Sequence, residues 1–164
     1  MQDYICIGVI NEYNRQEVNI KQLMQEVCEK VQSIYQKHNI GLKLQSEDFS
    51  VRVEPDLFER MLYNYLDNAR KASAENEEVW LSAYQTEDGY TIEIADHGIG
   101  MAQEEIGKIE DPFYMIDKAR GRKTEGVGLG MAIAGKIAAA HHGEVRIESM
   151  PKEGTTIRIH FSED

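Results

Sequence analysis

Residues 126–143 read GVGLGMAIAGKIAAAHHG, and this stretch separates the candidate folds from one another. Three glycines at alternating positions, Gly126, Gly128 and Gly130, precede an apolar run with helical spacing. A glycine-rich helix start is typical of phosphate binding, because the first N–H groups of a helix have no partner inside it. Several unrelated nucleotide-binding folds share this feature, so the surrounding sequence has to distinguish them.

A P-loop is one of these folds, and residues 130–136 fit its GxxxxGK spacing. The next residue is Ile137, however, where a P-loop has the Ser or Thr that holds Mg²⁺. A Rossmann fingerprint also fits poorly, because Met131 replaces its third glycine and a polar loop precedes the stretch. We therefore favour a helix N-terminus that receives phosphate without a P-loop lysine, and we place Gly135 at a contact between helices.

Apolar periodicity outward from this stretch predicts three helices, at 19–38, 55–74 and 127–141. The first helix is predicted to end at Asn39-Ile-Gly41, with the glycine as its cap. Alternating apolar residues predict strands at 42–44, 51–53, 78–85, 90–95, 144–149 and 155–161. Short turns join most neighbouring strands, so we expect an α+β fold. It would be a two-layer sandwich with a mixed, mostly antiparallel sheet covered on one face by three helices.

Charge and composition argue against several classes of protein. The formal net charge is −11, which disfavours a nucleic-acid binder, and no apolar run approaches the roughly 18 residues of a membrane span. We accordingly expect no nucleic-acid partner and no membrane contact by this segment. Cys6 and Cys28 lack metal or redox spacing, so free thiols in a reducing cytosol are expected. The basic run KARGRK at 118–123 suits a small anionic ligand, an acidic partner or a solvated loop.

One face of the second predicted helix carries a polar stripe made of Asn64, Asn68 and Lys71. Apolar residues are interleaved with this stripe, and burying polar groups without a partner is costly. Hydrated Mg²⁺ with phosphates would suit two amides and a lysine, whereas a solvated face is the alternative.

A second polar pattern follows the predicted strand at 90–95. Asp96 ends the strand, and Gly98 and Gly100 come directly after it. A carboxylate there can accept a hydrogen bond from a ligand amino group while the glycines let the backbone approach closely. An ordinary turn has the same appearance.

Taken together, these segments resemble the N, G1, F and G2 boxes of sensor histidine kinases, in that order. The matching segments are LYNYLDNARKAS (62–73), ADHGIGM (95–101), DPFY (111–114) and DKARGRKTEGVGLGMAI (117–133). The resemblance covers about residues 19–161 and places the chain in the superfamily that includes gyrase, Hsp90 and MutL. It implies a Bergerat-type ATP-binding fold with a long ATP lid at about 101–126, and ATP with Mg²⁺ as ligands.

The resemblance implies a role for each matching residue. Asn68 would be the Mg²⁺ ligand, Asn64 and Lys71 would lie at the phosphates, and Asp96 would accept the adenine amino group. The remaining expected contacts are Gly98, Gly100 and Met101 at the base, Phe113, Lys118 and Arg122 in the lid, and Gly126, Val127, Gly128, Leu129 and Gly130 at the triphosphate. Of these residues, Asn64, Lys71, Lys118 and Arg122 would assist catalysis, the two lid cations at the γ-phosphate.

Position 64 separates a kinase from a hydrolase. Hydrolases of this superfamily have Glu at the first N-box position, whereas the amide of Asn64 has no basic group to activate water. The resemblance therefore implies a protein histidine kinase that transfers the γ-phosphoryl group to a histidine on a separate dimerisation hairpin, upstream of a response regulator. None of the five histidines of this chain has the sequence context of such an acceptor. The hairpin would lie elsewhere in the parent chain or in a partner.

Residues 19–164 are expected to form the ATP-binding catalytic domain, with 1–18 as a linker or the tail of a preceding helix. We expect a cytoplasmic location, within a parent that can be membrane-anchored. A superfamily ATPase or switch, a serine-directed anti-sigma-type kinase and a degenerate module without ATP affinity remain as alternatives.

Overall fold

The computed structural model describes residues 15–102 and 127–163, which form two sheets and three helices. The helices are α1 (Ile20–Lys37), α2 (Pro55–Ala72) and α3 (Val127–Ala140). The strands are β1 (Gln16–Asn19), β2 (Gly41–Ser46), β3 (Ser50–Val53), β4 (Glu78–Thr86), β5 (Gly89–Asp96), β6 (Gly143–Met150) and β7 (Gly154–Ser162). The α+β sandwich is thereby confirmed. The predicted helices and strands follow one another as expected, but strand β1, which precedes them, was not predicted.

The main sheet has five strands in the order β2-β4-β5-β7-β6. Strands β4, β5, β7 and β6 pair antiparallel, whereas β2 runs parallel to β4. The sheet is therefore mixed and mostly antiparallel, as expected. A separate two-stranded sheet joins β1 to β3, so residues 16–18 belong to a strand, while residues 1–14 lie outside the described part of the chain.

The core lies between the helices and one face of the main sheet. Alternate residues of the central strands are buried because successive side chains in a strand point to opposite faces. The buried strand residues include Val79, Leu81, Ala83, Ile92, Ile94, Ile157, Ile159 and Phe161. From α2, the fully buried ring of Phe58 packs against Phe161 with ring centroids 5.4 Å apart.

The helix ends follow local sequence chemistry, with one departure from expectation. At the start of α2 the side chain of Glu54 accepts a hydrogen bond from the Leu57 N–H at 2.7 Å, and Pro55 occupies the first turn. The predicted glycine cap of α1 at Gly41 is wrong. Asn39 adopts the left-handed conformation there, with φ of 57°, and Gly41 instead begins β2. Asparagine tolerates this conformation because its short side chain bonds locally to the backbone.

Candidate functional site

The polar stripe of α2 lies on the side of the helix away from the core. Asn64 and Asn68 are half-buried, and the Lys71 side chain is 37% exposed. The opposite face of α2 is buried and consists of Phe58, Met61, Leu62, Tyr65, Leu66 and Ala69. The structure thus brings together the three side chains that the sequence placed on one stripe, on a helix anchored by its other face.

An ion-pair cluster holds the lysine of this stripe. The Lys71 ammonium lies 3.1 Å from Asp67 Oδ2, and Arg70 Nη2 donates to Asp67 Oδ1 at 2.8 Å. Burial disfavours the charged form of Asp67, but the hydrogen bonds from Arg70 and Lys71 outweigh it and lower the pKa of this carboxyl. Asp67 therefore stays ionised and holds the Lys71 cation against α2.

The middle of α2 is also fixed from the side of α1. The buried Tyr35 hydroxyl donates to the Leu66 carbonyl at 2.6 Å, two residues before Asn68. Burial raises the pKa of Tyr35, so its proton remains available for this bond. The α2 backbone that presents the amides is consequently supported by both hydrogen bonding and packing.

Asp96 ends β5 and is buried, with 7% of its surface exposed. Its Oδ1 atom accepts two backbone hydrogen bonds, from Gly98 N at 2.9 Å and from Thr155 N at 3.2 Å. Burial raises the pKa of Asp96, although these two bonds oppose the effect. Within the described ranges both bonds go to Oδ1, which leaves Oδ2 for a ligand that donates a hydrogen bond.

The loop after Asp96 is tied to two other parts of the chain. The Ile99 N–H donates to the Ala72 carbonyl at 3.1 Å, and the Ile99 carbonyl accepts from Lys152 N at 2.6 Å. The Met101 N–H donates to the Ser149 hydroxyl at 2.8 Å. The loop is therefore held between the end of α2 and the β6–β7 turn.

Two glycines allow the backbones of this loop to approach so closely. A Cβ at Gly98 would lie 2.1 Å from the Ala72 carbonyl oxygen, which belongs to the rigid end of α2. Gly100 has φ of 70°, and its Cβ would lie 1.9 Å from the Met150 carbonyl oxygen. Both positions of the predicted glycine pattern therefore require glycine on steric grounds.

The start of α3 lies beside the stripe of α2. A Cβ at Gly130 would lie 3.9 Å from Asn64 Cγ, so the first turn of α3 faces the first amide. Val127, Gly128 and Leu129 belong to this turn, and their side chains are not described. The structure thus brings the first turn of α3 to the side chain of Asn64.

Continuous helix through 127–140 also answers the P-loop question, because a P-loop would be irregular there. The expected helix contact at Gly135 is wrong. A Cβ at this position would meet no atom within 4 Å. Gly135 instead lines a groove of about 410 Å³ between α3 and the edge strand β6.

Several predicted residues lie outside the described part of the chain. These are Phe113, Lys118, Arg122 and Gly126, together with most of the predicted lid at 101–126. Conversely, sequence reasoning missed Ser149 and Thr155, which hold the loop and Asp96. The sequence did place Thr155 directly after Gly154 in a predicted hairpin. It did not show that β7 pairs with β5, and this pairing is what brings Thr155 to Asp96.

His141 has a structural place at the end of α3. Its ring is buried, with Nδ1 2.8 Å from the Ile137 carbonyl and Nε2 accepting from Glu54 N at 3.1 Å. The bond to Ile137 requires the proton on Nδ1, so this tautomer is assigned by the two partners. His141 thus caps the C-terminal end of its own helix.

Residues 15–102 and 127–163 contain neither a candidate membrane span nor a cluster of metal-binding side chains. No helix in these ranges has both the length and the apolar character to cross a bilayer. No group of three or more His, Cys, Asp and Glu side chains in them could hold a metal ion.

The chain is similar to known proteins in both sequence and fold. A family model described as histidine kinase-, DNA gyrase B-, and HSP90-like ATPase matches residues 53–164. The signal transduction histidine-protein kinase ArlS of Staphylococcus aureus is 32% identical over 157 residues, covering 94% of this chain and 35% of ArlS. The chain thus spans about a third of the length of the curated relatives it matches.

Solved structures support the fold. The catalytic domain of histidine kinase ThkA superposes with a TM-score of 0.78 at 24% identity, covering 90% of this chain and 95% of that one. Histidine kinase AdeS of Acinetobacter baumannii superposes with a TM-score of 0.79 at 18% identity, covering 98% of this chain and 74% of that one.

The family match, the ArlS similarity and the fold agree with the resemblance read from the sequence boxes. This chain belongs to the histidine kinase-, DNA gyrase B-, and HSP90-like ATPase family, as a catalytic domain of the sensor histidine kinase type.

Proposed function

We propose that this domain binds Mg²⁺-ATP and transfers its γ-phosphoryl group to a histidine on a separate dimerisation hairpin. The observation that carries the proposal is the buried Asp96 carboxylate, whose Oδ2 is left uncommitted by the described residues. A buried acceptor of this kind suits the exocyclic amino group of adenine, which can only donate there. The amides of α2 and the start of α3 supply a phosphate end for the same ligand.

At the base end, Asp96 Oδ2 accepts from the adenine amino group. The backbone of Gly98, Gly100 and Met101 forms the wall against which the ring lies. Two features support this assignment: the loop is already held by hydrogen bonds, and its glycines leave no side chain in the way. Such preorganisation reduces the entropic cost of binding.

At the phosphate end, the free N–H groups of residues 127–130 receive the triphosphate, and Lys71 neutralises part of its charge. Asn68 provides an amide oxygen to Mg²⁺, which readily keeps water and phosphate oxygens as its other ligands. The absence of an acidic metal cluster among the described residues is compatible with an ion held this way. Phe113, Lys118, Arg122 and Gly126 are proposed to complete the site from the lid side.

The reaction proposed here is phosphoryl transfer without a protein base at position 64. A nitrogen of the acceptor histidine forms the new N–P bond, the bond from the γ-phosphorus to the bridging oxygen breaks, and ADP leaves. Phosphoryl transfer depends mainly on positioning and charge neutralisation, so Asn64 and Lys71 contribute by orienting and stabilising the phosphates. Asn64 does not activate water, which disfavours the ATPase alternative.

The proposal extends to partners and location. Residues 19–164 act as the ATP-binding unit together with strand β1, which pairs with β3, and the residues before β1 connect it to the hairpin. The phosphohistidine then serves a response regulator. ATP as the substrate supports a cytoplasmic location for this domain.

The test combines this chain with the separately produced dimerisation hairpin of its parent and γ-labelled Mg²⁺-ATP. We expect label on the hairpin that survives base and is lost in acid, and no label when the acceptor histidine is changed to Gln. Acid-stable label would instead indicate a serine kinase. Rapid ADP release without any acceptor would indicate an ATPase, and either result would overturn the proposal.

A further inference from the structure

We propose that Ser149 is a positioning residue that sets the base selectivity of the nucleotide site. The inference rests on the proposed nucleotide binding and adds a residue that no box of the sequence includes. Ser149 does not have to touch the ligand, because it acts through the backbone of Met101 and through Thr155.

The strand register brings Asp96, Thr155 and Ser149 together as one polar row. Asp96 of β5 pairs with Thr155 of β7, and Thr155 pairs with Ser149 of β6. Directly opposite residues in antiparallel strands point to the same face. The three side chains therefore lie side by side across the end of the sheet, and all three are buried.

The next row on the same face is entirely apolar. It consists of Ile94, Ile157 and Ile147, paired in the same register. A buried polar group without a hydrogen bond destabilises a protein, so a polar row at this one level requires internal partners. The apolar row therefore packs in the core, whereas the polar row at the end of the sheet supports the loop after Asp96.

Ser149 is central to the bonding of this row. Its Oγ atom lies 3.0 Å from the Gly154 carbonyl, 2.7 Å from Thr155 Oγ1 and 2.8 Å from the Met101 N–H. A hydroxyl donates one hydrogen bond and accepts up to two. Donation to Gly154 O, with acceptance from Met101 and Thr155, satisfies all three distances at once.

Ser149 thereby fixes the far end of the loop whose near end is fixed by Asp96. The Asp96 carboxylate accepts from Gly98 N and Thr155 N, while Ser149 accepts from Met101 N. Asp96 and Ser149 both bond to the same residue, Thr155. This bonded row, together with the bonds of Ile99 to Ala72 and Lys152, holds the distance between the Asp96 carboxylate and the Gly100–Met101 backbone, and this distance decides which base edge fits.

Truncation at Ser149 removes the hydroxyl that accepts from the Met101 N–H and donates to the Gly154 carbonyl. The wall of the base site then relaxes, while the phosphate end on α2 and α3 keeps its contacts. We therefore expect a loss of preference for adenine rather than a uniform loss of affinity. A purely structural role would weaken all nucleotides by the same factor.

The experiment measures calorimetric Kd values for Mg²⁺-ADP and Mg²⁺-GDP with this chain and its Ser149→Ala variant. We expect the ratio of the GDP to the ADP Kd to fall by about tenfold, and the Met101 amide to exchange faster in the ligand-free chain. Ser82→Ala is the matched control, because Ser82 is a half-buried serine of β4 in the same sheet. This control should change neither the ratio nor the exchange.

An unchanged ratio, or an equal change in the Ser82→Ala control, would overturn the role of Ser149. If Ser149→Ala does not fold, Ser149→Cys retains the shape with weaker bonding and should change the ratio in the same direction. A wild-type chain that binds neither nucleotide would overturn the proposed function itself. The Met101 exchange rate distinguishes the two failures, since it tests the bond without any ligand.

Discussion

Among single residues, Asp96 combines features that seldom occur together in a structural aspartate. It is buried, its pKa is raised by that burial, and its described partners bind only one of its two oxygens. The other oxygen is the one that we propose for the adenine amino group.

Replacing Asp96 by Asn presents an amide donor where the adenine amino group needs an acceptor. We expect the Kd for ATP to rise by at least about 100-fold, because a site built around a hydrogen bond rejects a mismatched partner strongly. Calorimetry at fixed Mg²⁺ measures the change. Asp88→Asn, in the exposed β4–β5 turn, is the control and should leave the Kd unaltered. Equal affinity of the Asp96 variant would contradict the adenine assignment.

Asn68 is predicted to connect the metal to the nucleotide. In Asn68→Ala, Mg²⁺ should no longer increase the affinity for ATP, since the hard oxygen ligand is absent. Titration of ATP with and without Mg²⁺ measures this gain, and we expect about a tenfold loss of it. Gln36→Ala, on the exposed side of α1, should retain the full gain. An undiminished Mg²⁺ effect would displace Asn68 as the ligand.

Among the elements, helix α3 has its first turn at the proposed phosphate site, whereas the space around Gly135 in its middle is open. Gly135 lies inside the helix with nothing near its Cβ position, whereas Gly98 lies against the backbone of α2. Glycine costs helix stability because it loses the most backbone entropy. The two glycines should therefore respond oppositely to the same substitution.

Gly135→Ala should raise the free energy of unfolding by about 0.5–1 kcal/mol and leave ATP affinity intact. Gly98→Ala should lower both quantities, since its Cβ would overlap the Ala72 carbonyl. Urea denaturation and calorimetry measure the pair. Loss of ATP binding in Gly135→Ala would revive a P-loop at residues 130–136.

The ends of α2 and α3 meet at His141, which makes their junction sensitive to pH. Burial lowers the pKa of His141 below its usual 6.5, and Arg15 and His142 act in the same direction, while the bond to Ile137 opposes them. The unfolded chain therefore takes up this proton at a higher pH than the folded chain. The contribution of His141 to stability is complete above about pH 6.5 and decreases as the pH falls from there towards the folded pKa.

We expect the unfolding free energy to fall more steeply between pH 6.5 and pH 5 in the wild type than in His141→Gln. The physical reason is that a proton on Nε2 would oppose the Glu54 N–H, its present hydrogen-bond donor. Urea titrations at several pH values measure both slopes. His38→Gln, at an exposed position, should retain the wild-type slope. Identical slopes for wild type and His141→Gln would contradict the buried neutral state.

Local sequence predicted most elements because periodicity and turn chemistry are local properties. The helices and both hairpins were predicted within a few residues. Three long-range features were not predicted, because each joins segments that are distant along the chain. They are the pairing of β1 with β3, the parallel pairing of β2 with β4, and the Ser149–Met101 bond. The residue with left-handed backbone after α1 was predicted at Gly41 but is Asn39. Both residue types tolerate that conformation, so the sequence did not distinguish them. For the candidate site, the sequence pattern singled out Asn64, Asn68 and Asp96. The polar row of Asp96, Thr155 and Ser149 could be recognised only from the register of the strands.

At the scale of the whole molecule, α2 links the core to the site. Phe58 on its buried face contacts His141 edge-on and packs against Phe161, while Asn64 and Asn68 lie on its other side. Damage to the core beneath α2 therefore displaces the amides as well. Stability and nucleotide affinity should decrease together for substitutions on this helix.

Phe58→Ala should lower the free energy of unfolding by about 3–5 kcal/mol, the usual cost of removing a buried phenylalanine. Tyr63→Ala provides the matched control on the same helix, because Tyr63 is 40% exposed and should cost less than about 1 kcal/mol. Chemical denaturation monitored by circular dichroism measures both. Similar losses for the two variants would contradict the assigned faces of α2.

Strand β7 lies in the interior of the sheet, between β5 and β6, although the ribosome makes it after every other described strand. Until it is inserted, β5 lacks a neighbour on one side and Asp96 lacks the Thr155 N–H. A nascent chain that lacks β7 would therefore not yet have the complete adenine site proposed above. In the proposed function, nucleotide would bind only after the β6–β7 hairpin has formed. Bound nucleotide would then stabilise only chains in which this hairpin is folded.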